Sequence, residues 1–258
     1  MKDRLGRTKL KQMICFGEQV LPCIRKRARE LPSAGIRATS LCYDGLCLYL
    51  LLSAFAKCVD WKTKMFYIPV IVGSVRRNRE SIKVARFTVD YLKRLAGVNT
   101  EILDLKEIDL PIMEERLRFR DDAPDSVIRF SSKIAEADSI VIVTPEYNGG
   151  YPGVLKNALD YLKNEYRRKP FGIITVSTAE TGGILCLVAL RQMVIHLGGV
   201  PIPASLLVSR VQTAFDSDGR PSDPKFAKRA EVYFGELLWF TEALATQKTK
   251  DSLRAKRT

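Results

Sequence analysis

Residues that commonly bind metal ions are scarce in this sequence. It contains a single histidine, His196, and no two cysteines are separated by two residues. A structural zinc site draws its ligands from cysteine and histidine, so the sequence predicts no metal site. Five of the six cysteines precede residue 60 in a chain without a recognisable secretion signal, so we expect free thiols. The sixth, Cys186, lies in an apolar run and is predicted to be a small buried side chain.

The sequence also lacks a segment long enough to span a membrane. Its longest apolar run, Gly45–Ala56, covers about 12 residues, whereas a membrane-spanning helix needs roughly 20. The run also lies too far from the first residue for an ordinary signal peptide. We therefore expect a cytoplasmic protein with no integral membrane association.

Positive charge is plentiful, but it is unevenly distributed. Residues 1–64 hold 13 Lys and Arg against 5 Asp and Glu, and so carry +8 of the net charge of +13. The other 194 residues hold 29 basic and 24 acidic side chains. Because no basic groove with interleaved aromatics is visible in this larger part, nucleic acid is not an expected partner.

Residues 1–64 differ from the rest of the chain in charge and in cysteine content. They could be a small helical appendage, a weak membrane-surface or targeting segment, or a non-native extension with Met65 as the functional start. We favour the third interpretation because the composition changes at Met65, one residue before the first predicted strand. The expected organisation is an unrelated N-terminal extension over 1–64, a domain over 65–245 and a basic tail over 246–258.

The stretch from Ile68 to Ser81 predicts a strand, a loop and the start of a helix. Ile68–Val72 is apolar on both faces, which is typical of a strand with helices on both sides. Gly73 lets the backbone approach a ligand, and a helix beginning near Glu80 would point free N–H groups back at the loop. These features predict a phosphate site that includes Ser74, Arg76, Arg79 and Ser81. The alternative is an ordinary turn with solvated arginines, and the spacing matches neither a Walker A nor a dinucleotide-binding motif.

From Phe66 onward, five predicted strands alternate with five predicted helices. The strands are expected at Phe66–Val72, Thr100–Leu105, Ser139–Thr144, Phe171–Ser177 and Val200–Val208. The helices are expected at Ser81–Leu95, Asp125–Ala137, Pro152–Lys163, Gly183–Leu197 and Pro224–Leu244, and the tail after Ala245 is expected to fray. This alternation predicts a doubly wound five-stranded parallel sheet. A phosphate loop after the first strand implies strand order 2-1-3-4-5, with the ligand at the carboxyl ends of strands one and three.

The loops after the third and fourth predicted strands also suit a ligand. Pro145 and Tyr147 offer flat or apolar surface for a planar ring, and Asn148 and the N–H of Gly149 can bond to its heteroatoms. The loop over 177–183 is small and polar and suits the far edge of the same ring. The loop after the third strand could instead be a tight strand-to-helix connection, although this alternative leaves Tyr147 unexplained. The loop over 177–183 could instead be a helix-capping loop.

Two motifs resemble the NADPH-dependent FMN reductase family, which has a flavodoxin-like fold. They are Gly73-Ser74-x-Arg76-x-x-Arg79 and the run Thr144-Pro145-Glu146-Tyr147-Asn148-Gly149, followed by Leu155-Lys156-Asn157-Ala158. The similarity covers about residues 65–244 and nothing in 1–64. One departure is that the family usually has a small residue or glycine near Arg77–Asn78.

The resemblance implies a flavoprotein oxidoreductase that passes hydride from NADPH or NADH to FMN. Reduced FMN then reduces a small-molecule acceptor such as a quinone, an azo compound or free flavin. Carried over by position, the phosphate is held by Ser74, Arg76, Arg79 and Ser81, and the ring by Pro145, Glu146, Tyr147, Asn148 and Gly149. The other ring edge approaches Ser177, Thr178 and Gly182. Because the flavin does the chemistry, no catalytic acid or base is predicted.

The helix predicted at Gly183–Leu197 is apolar almost all round, so it must be covered on more than one side. Burial within one chain would explain this, but a subunit interface is the sharper hypothesis, and the family is commonly dimeric or tetrameric. We therefore expect a homodimer or homotetramer. Two other functions stay open: a flavodoxin-like electron carrier without a nicotinamide site, and a cofactor-free binding domain. Carriers are usually acidic, whereas this domain is mildly basic.

Overall fold

The computed structural model describes residues 65–216 and 219–255. The predictions made for residues 1–64 lie outside the described residues. Eight strands occur in the described part: β1 Phe66–Tyr67, β2 Val70–Val72, β3 Val98–Asn99, β4 Ile102–Asp104, β5 Ile140–Pro145, β6 Pro170–Val176, β7 Val200–Pro201 and β8 Leu206–Val208.

These strands form the predicted sheet. Each pairing between them is parallel, and the order across the sheet is β4-β2-β5-β6-β7, with β8 also paired to β6. Since β1 leads into β2, β3 into β4 and β7 into β8, the sheet has five strand positions in order 2-1-3-4-5. The doubly wound, flavodoxin-like fold is confirmed, and its winding reverses between β2 and β5.

The first predicted strand is interrupted at Pro69. Proline has no backbone N–H and cannot donate to the hydrogen-bond ladder, so β1 and β2 are separate. The neighbouring N–H groups of Ile68 and Val70 donate to the carbonyl oxygens of Asn99 and Glu101, both at 2.9 Å. The two short strands therefore stay aligned as one strand of the sheet.

Helices connect the strands as the sequence pattern indicates. Their bounds are α1 Ser81–Lys93, α2 Leu105–Ile108, α3 Asp125–Glu136, α4 Gly153–Asp160, α5 Ile184–His196, α6 Val211–Ala214 and α7 Pro224–Ala255. The single-turn helices α2 and α6 were not predicted, whereas the other five match predicted helices. Two short 3-10 helices lie at Leu117–Phe119 and Asn164–Tyr166. Within the ranges described, no helix combines the length and apolarity needed to cross a membrane.

The last helix is longer than predicted, because α7 continues past Ala245 to Ala255. The expectation of a frayed tail is wrong for this stretch. Its segment after Ala245 contains no glycine or proline to end the helix, and Gln247 donates a side-chain hydrogen bond to Asp251 one turn later, at 2.7 Å. Buried side chains nevertheless stop at Ala245, so the last turns lie outside the core.

Two apolar cores lie on the two faces of the sheet. Val70 and Val72 of β2 enter the core that α1 and α7 cover, whereas Ile71 enters the core that α3, α4 and α5 cover. All three side chains are fully buried, which explains why this strand is apolar on both faces. With both faces covered, the carboxyl edge of the sheet presents its loops to solvent.

Candidate functional site

A cleft of about 250 Å³ opens at the carboxyl ends of β2, β5 and β6. Nine of the twelve residues predicted from the sequence line it: Ser74, Arg76, Arg79, Ser81, Pro145, Glu146, Tyr147, Ser177 and Thr178. The lining also includes residues that the sequence analysis did not assign: Arg77, Asn78, Glu80, Val176 and Val211. The structure thus brings together residues from three loops that are up to about 100 positions apart.

The first residues of α1 form one end of the cleft. Ser81 is 2% exposed, and among the described residues its hydroxyl has no hydrogen-bond partner. No side chain from the N-cap residue Glu80 caps the helix, so the first backbone N–H groups of α1 are not capped from that position. Free N–H groups, the positive end of the helix dipole and a buried hydroxyl together favour an anion. This end of the cleft is therefore a candidate phosphate seat.

Tyr147 joins the loops after β2 and β5. Its hydroxyl hydrogen-bonds to the Ser74 hydroxyl at 2.9 Å, and the guanidinium carbon of Arg76 lies 5.5 Å from the centre of its ring. The second contact is a cation–π interaction. These contacts orient an aromatic side chain and a cationic side chain at the same wall of the cleft.

The turn that follows Tyr147 explains why two predicted residues do not line the cleft. Tyr147 and Gly150 exchange two backbone hydrogen bonds, of 2.8 and 3.0 Å. Between them, Asn148 and Gly149 have φ values of +52° and +75°, the left-handed region that such a tight turn requires. Both residues are exposed, and they shape the loop rather than its inner wall.

Arg79 lines the cleft, but its guanidinium is held by protein groups. It forms an ion pair with Asp104 at the end of β4 and donates a 3.0 Å hydrogen bond to the carbonyl oxygen of Ser74. From the sequence, Asp104 is predicted only as part of a strand, because nothing in the local pattern indicates its partner. Direct binding of a phosphate by Arg79 stays a prediction.

Glu146 caps the helix on the other side of the sheet. Its Oε2 accepts the backbone N–H of Cys186 at 3.0 Å, in the first turn of α5. Burial, and then the nearby Glu146 carboxylate, raise the pKa of the Cys186 thiol to about 12. The thiol is therefore protonated and a poor nucleophile, as expected for a buried structural cysteine.

Gly182 lies in the loop that follows β6, and it contacts neighbouring strands rather than the cleft. Its carbonyl oxygen accepts the hydroxyl of Thr175 at 2.8 Å, and a Cβ at this position would lie 2.8 Å from Cβ of Leu207. Gly182 therefore packs against the edge strand and does not line the cleft. Ser177 and Thr178, which precede it, do line the cleft.

The fold and the cleft together define a class of protein. A flavodoxin-like sheet carries the candidate phosphate seat after β2 and an aromatic loop after β5, on the two sides of the point where the winding reverses. The buried hydroxyl of Ser81, which has no partner within 65–216 and 219–255, would suit a phosphate, and Tyr147 and Pro145 would suit a planar ring. These are the features of a protein that binds flavin mononucleotide.

Comparison with known proteins identifies the family. The model of the NADPH-dependent FMN reductase family matches residues 67–213. An FMN-dependent NADPH-azoreductase of Staphylococcus aureus is 30% identical over 183 residues, which cover 66% of this chain and 93% of that protein. The solved structure of FerB, a flavoenzyme NAD(P)H:(acceptor) oxidoreductase from Paracoccus denitrificans, is 28% identical with a TM-score of 0.57, covering 70% of this chain and 98% of that one. An oxidoreductase from Corynebacterium diphtheriae shares the fold at 17% identity, with a TM-score of 0.57, 69% of this chain and 98% of that one covered.

The chain belongs to the NADPH-dependent FMN reductase family. It is an oxidoreductase with FMN as its cofactor and NAD(P)H as its co-substrate, as the resemblance implied. The predicted family, fold, activity and cofactor are confirmed.

Proposed function

We propose that FMN lies in this cleft with its phosphate at the N-terminal end of α1 and its ring against the loop of Pro145 and Tyr147. The observation that carries the proposal is the buried Ser81 hydroxyl, which has no partner in the described part of the chain. A buried polar group without a partner costs free energy, so a phosphate oxygen that accepts a hydrogen bond from this hydroxyl would offset that cost. Arg76 supplies positive charge beside the same seat.

We propose that the cleft residues position and orient FMN, and that none of them acts as a catalytic acid or base. When bound, FMN would supply the redox chemistry, namely hydride acceptance from NAD(P)H and electron transfer to an acceptor. The Glu146 carboxylate is engaged by the N–H of Cys186, and the Cys186 thiol is buried and protonated.

The proposed acceptor is a small molecule of the quinone, azo or free-flavin kind. The S. aureus relative is named an azoreductase, and FerB is named for an unspecified acceptor.

We further propose a homodimer or homotetramer in the cytoplasm. The support for assembly is a run of exposed apolar side chains on α5: Leu185, Val188 and Ile195.

Flavin binding and reduction test the proposed site directly. We expect Ser81→Ala to weaken FMN binding about tenfold while riboflavin, which has no phosphate, binds as before. Ser131→Ala, a buried serine on α3 outside the cleft, is the matched control and should leave both affinities unchanged. Equal losses for FMN and riboflavin would place the phosphate elsewhere.

Reduction distinguishes the enzyme from an electron carrier. Anaerobic NADPH should bleach the visible absorbance of the FMN-loaded protein, after which a quinone or azo dye should restore it. Bound FMN that stays oxidised with both NADPH and NADH would indicate a carrier. A protein that binds no FMN would contradict the cofactor site.

A further inference from the structure

A buried carboxylate outside the cleft is connected to the loop that follows β2. Asp104 is the last residue of β4, and the parallel register of β2 and β4 places it beside Val72. Its side chain is 4% exposed and forms an ion pair with Arg79, while its Oδ1 accepts the backbone N–H of Lys106 at 3.0 Å. Both carboxylate oxygens are thus used by protein groups.

Arg79 carries this connection into the cleft. Its other guanidinium nitrogen donates to the carbonyl oxygen of Ser74 at 3.0 Å, and the Ser74 hydroxyl bonds to the Tyr147 hydroxyl at 2.9 Å. The contacts Asp104–Arg79–Ser74–Tyr147 therefore join the ends of β4, β2 and β5. The backbone at the start of the phosphate seat is fixed through a residue that does not line the cleft.

The charges in this arrangement decide what Arg79 can do. Its side chain is only 11% exposed, and the Asp104 carboxylate balances its charge. If Arg79 moved to a bound phosphate, Asp104 would be left buried, charged and without its cation, which is strongly unfavourable. A phosphate at the seat would instead meet Arg76, the Ser81 hydroxyl and the N–H groups of α1.

We infer that Asp104 is a positioning residue of the FMN site: it holds Arg79 against the loop backbone, so that Arg79 shapes the phosphate seat rather than binding the phosphate. The inference rests on the proposed function. It differs from the expectation from sequence that Arg79 is a phosphate ligand, and it adds a residue from β4 to the determinants of the site.

The test compares FMN and riboflavin affinities of the full chain by flavin fluorescence for Asp104→Asn, Arg79→Lys and the double variant. Asparagine still caps α2 but loses the charge that holds Arg79, and lysine cannot reach two acceptors in a fixed fork. We expect each single variant to bind FMN about tenfold more weakly, riboflavin to be affected much less, and the double variant to lose no more than either single one. Glu101→Gln, which breaks the Lys133 ion pair just before β4, is the matched control and should leave both affinities unchanged.

Each other result has a distinct meaning. Unchanged or tighter FMN binding by Asp104→Asn would overturn the inference, because it would mean that Arg79, once released, serves the phosphate directly. Equal losses of FMN and riboflavin affinity would also overturn it, since a general loss of stability acts on both. A wild-type chain that binds no FMN would instead overturn the proposed function.

Discussion

Two polar side chains of the cleft differ in whether the protein itself satisfies them. The Glu146 carboxylate accepts an N–H group of α5, whereas the Ser81 hydroxyl has no partner in the ranges described. A satisfied group stabilises the fold, and an unsatisfied buried one costs free energy until a ligand arrives. At the scale of single residues, the binding free energy of the phosphate should therefore depend more on Ser81 than on Glu146.

Cys186 should be unreactive in the folded protein. Burial and the Glu146 carboxylate raise its pKa to about 12, so almost no thiolate exists at pH 8. We expect iodoacetamide to label the Cys186 peptide slowly in native protein and rapidly in urea, as measured by mass spectrometry. Because the pKa of this thiol is higher in the folded than in the unfolded protein, unfolding releases a proton at pH values above the ordinary thiol pKa. The contribution of Cys186 to stability therefore falls as the pH rises toward 12. Equal labelling in both states would contradict the burial of the thiol.

At the scale of elements, two helices begin at the same edge of the sheet with different partners. The N-terminal turn of α5 receives a carboxylate from the loop after β5, whereas the side chain of the N-cap residue of α1 makes no capping bond. The dipoles of both helices favour negative charge at these ends. A protein carboxylate supplies it for α5, and we propose that a ligand supplies it for α1.

Replacing Glu146 by glutamine should weaken the start of α5. Glutamine can still accept the Cys186 N–H, but it carries no charge to interact with the helix dipole. We expect a loss of about 0.5–1 kcal/mol in the free energy of unfolding, measured by urea denaturation. Glu180→Gln removes an exposed carboxylate in the next loop and serves as the control, with a smaller expected effect. A Glu146→Gln variant that is more stable than the wild type would contradict a favourable interaction between this carboxylate and the dipole of α5.

Removing residues 247–258 should hardly change stability. The buried side chains of α7 end at Ala245, and the ion pair of Arg168 with Asp251 is exposed, with 3.7 Å between its charged atoms. Exposed pairs contribute little, so the loss should stay below about 1 kcal/mol in urea denaturation. Removal from Leu237 onward takes buried residues and should cost several times more. A large loss for the shorter truncation would mean that the last turns of α7 pack against something.

Features that depend on residues close together in the sequence were predicted correctly, whereas features that depend on residues far apart in the sequence were not. Alternating apolar strands and helical stripes depend on local spacing, so the five strand positions and five long helices were predicted. The partner of Arg79 depends on the register of β4 against β2, which no local pattern contains. The position of Gly182 likewise depends on its packing against Leu207 of the edge strand.

At the scale of the whole molecule, α5 presents both a buried and an exposed apolar face. Leu187 and Leu190 enter the core, whereas Leu185, Val188 and Ile195 are 58%, 59% and 63% exposed. Exposed apolar side chains at this spacing on one helix are typical of a subunit interface. The proposed homodimer or homotetramer would cover them.

Val188→Asp should therefore convert the assembly to monomers. A charge in the middle of an apolar interface is left buried and unpaired, so association at micromolar concentration should weaken by at least a hundredfold. Light scattering coupled to size exclusion measures the molar mass. Val232→Asp changes another exposed valine, on α7, and should leave the assembly intact. A wild-type chain that is already monomeric would contradict the interface.

The 32 residues of α7 carry the chain from the cleft's edge of the sheet to the opposite edge, a length of about 48 Å. The Asp251 end of the helix lies near Arg168, just before the amino end of β6. A tether attached beyond Ala255 would thus fix the enzyme to an electrode or a resin with its cleft facing the solution. Immobilisation through this end would allow electron transfer to each soluble acceptor to be measured separately, because the tether would not block the opening of the cleft.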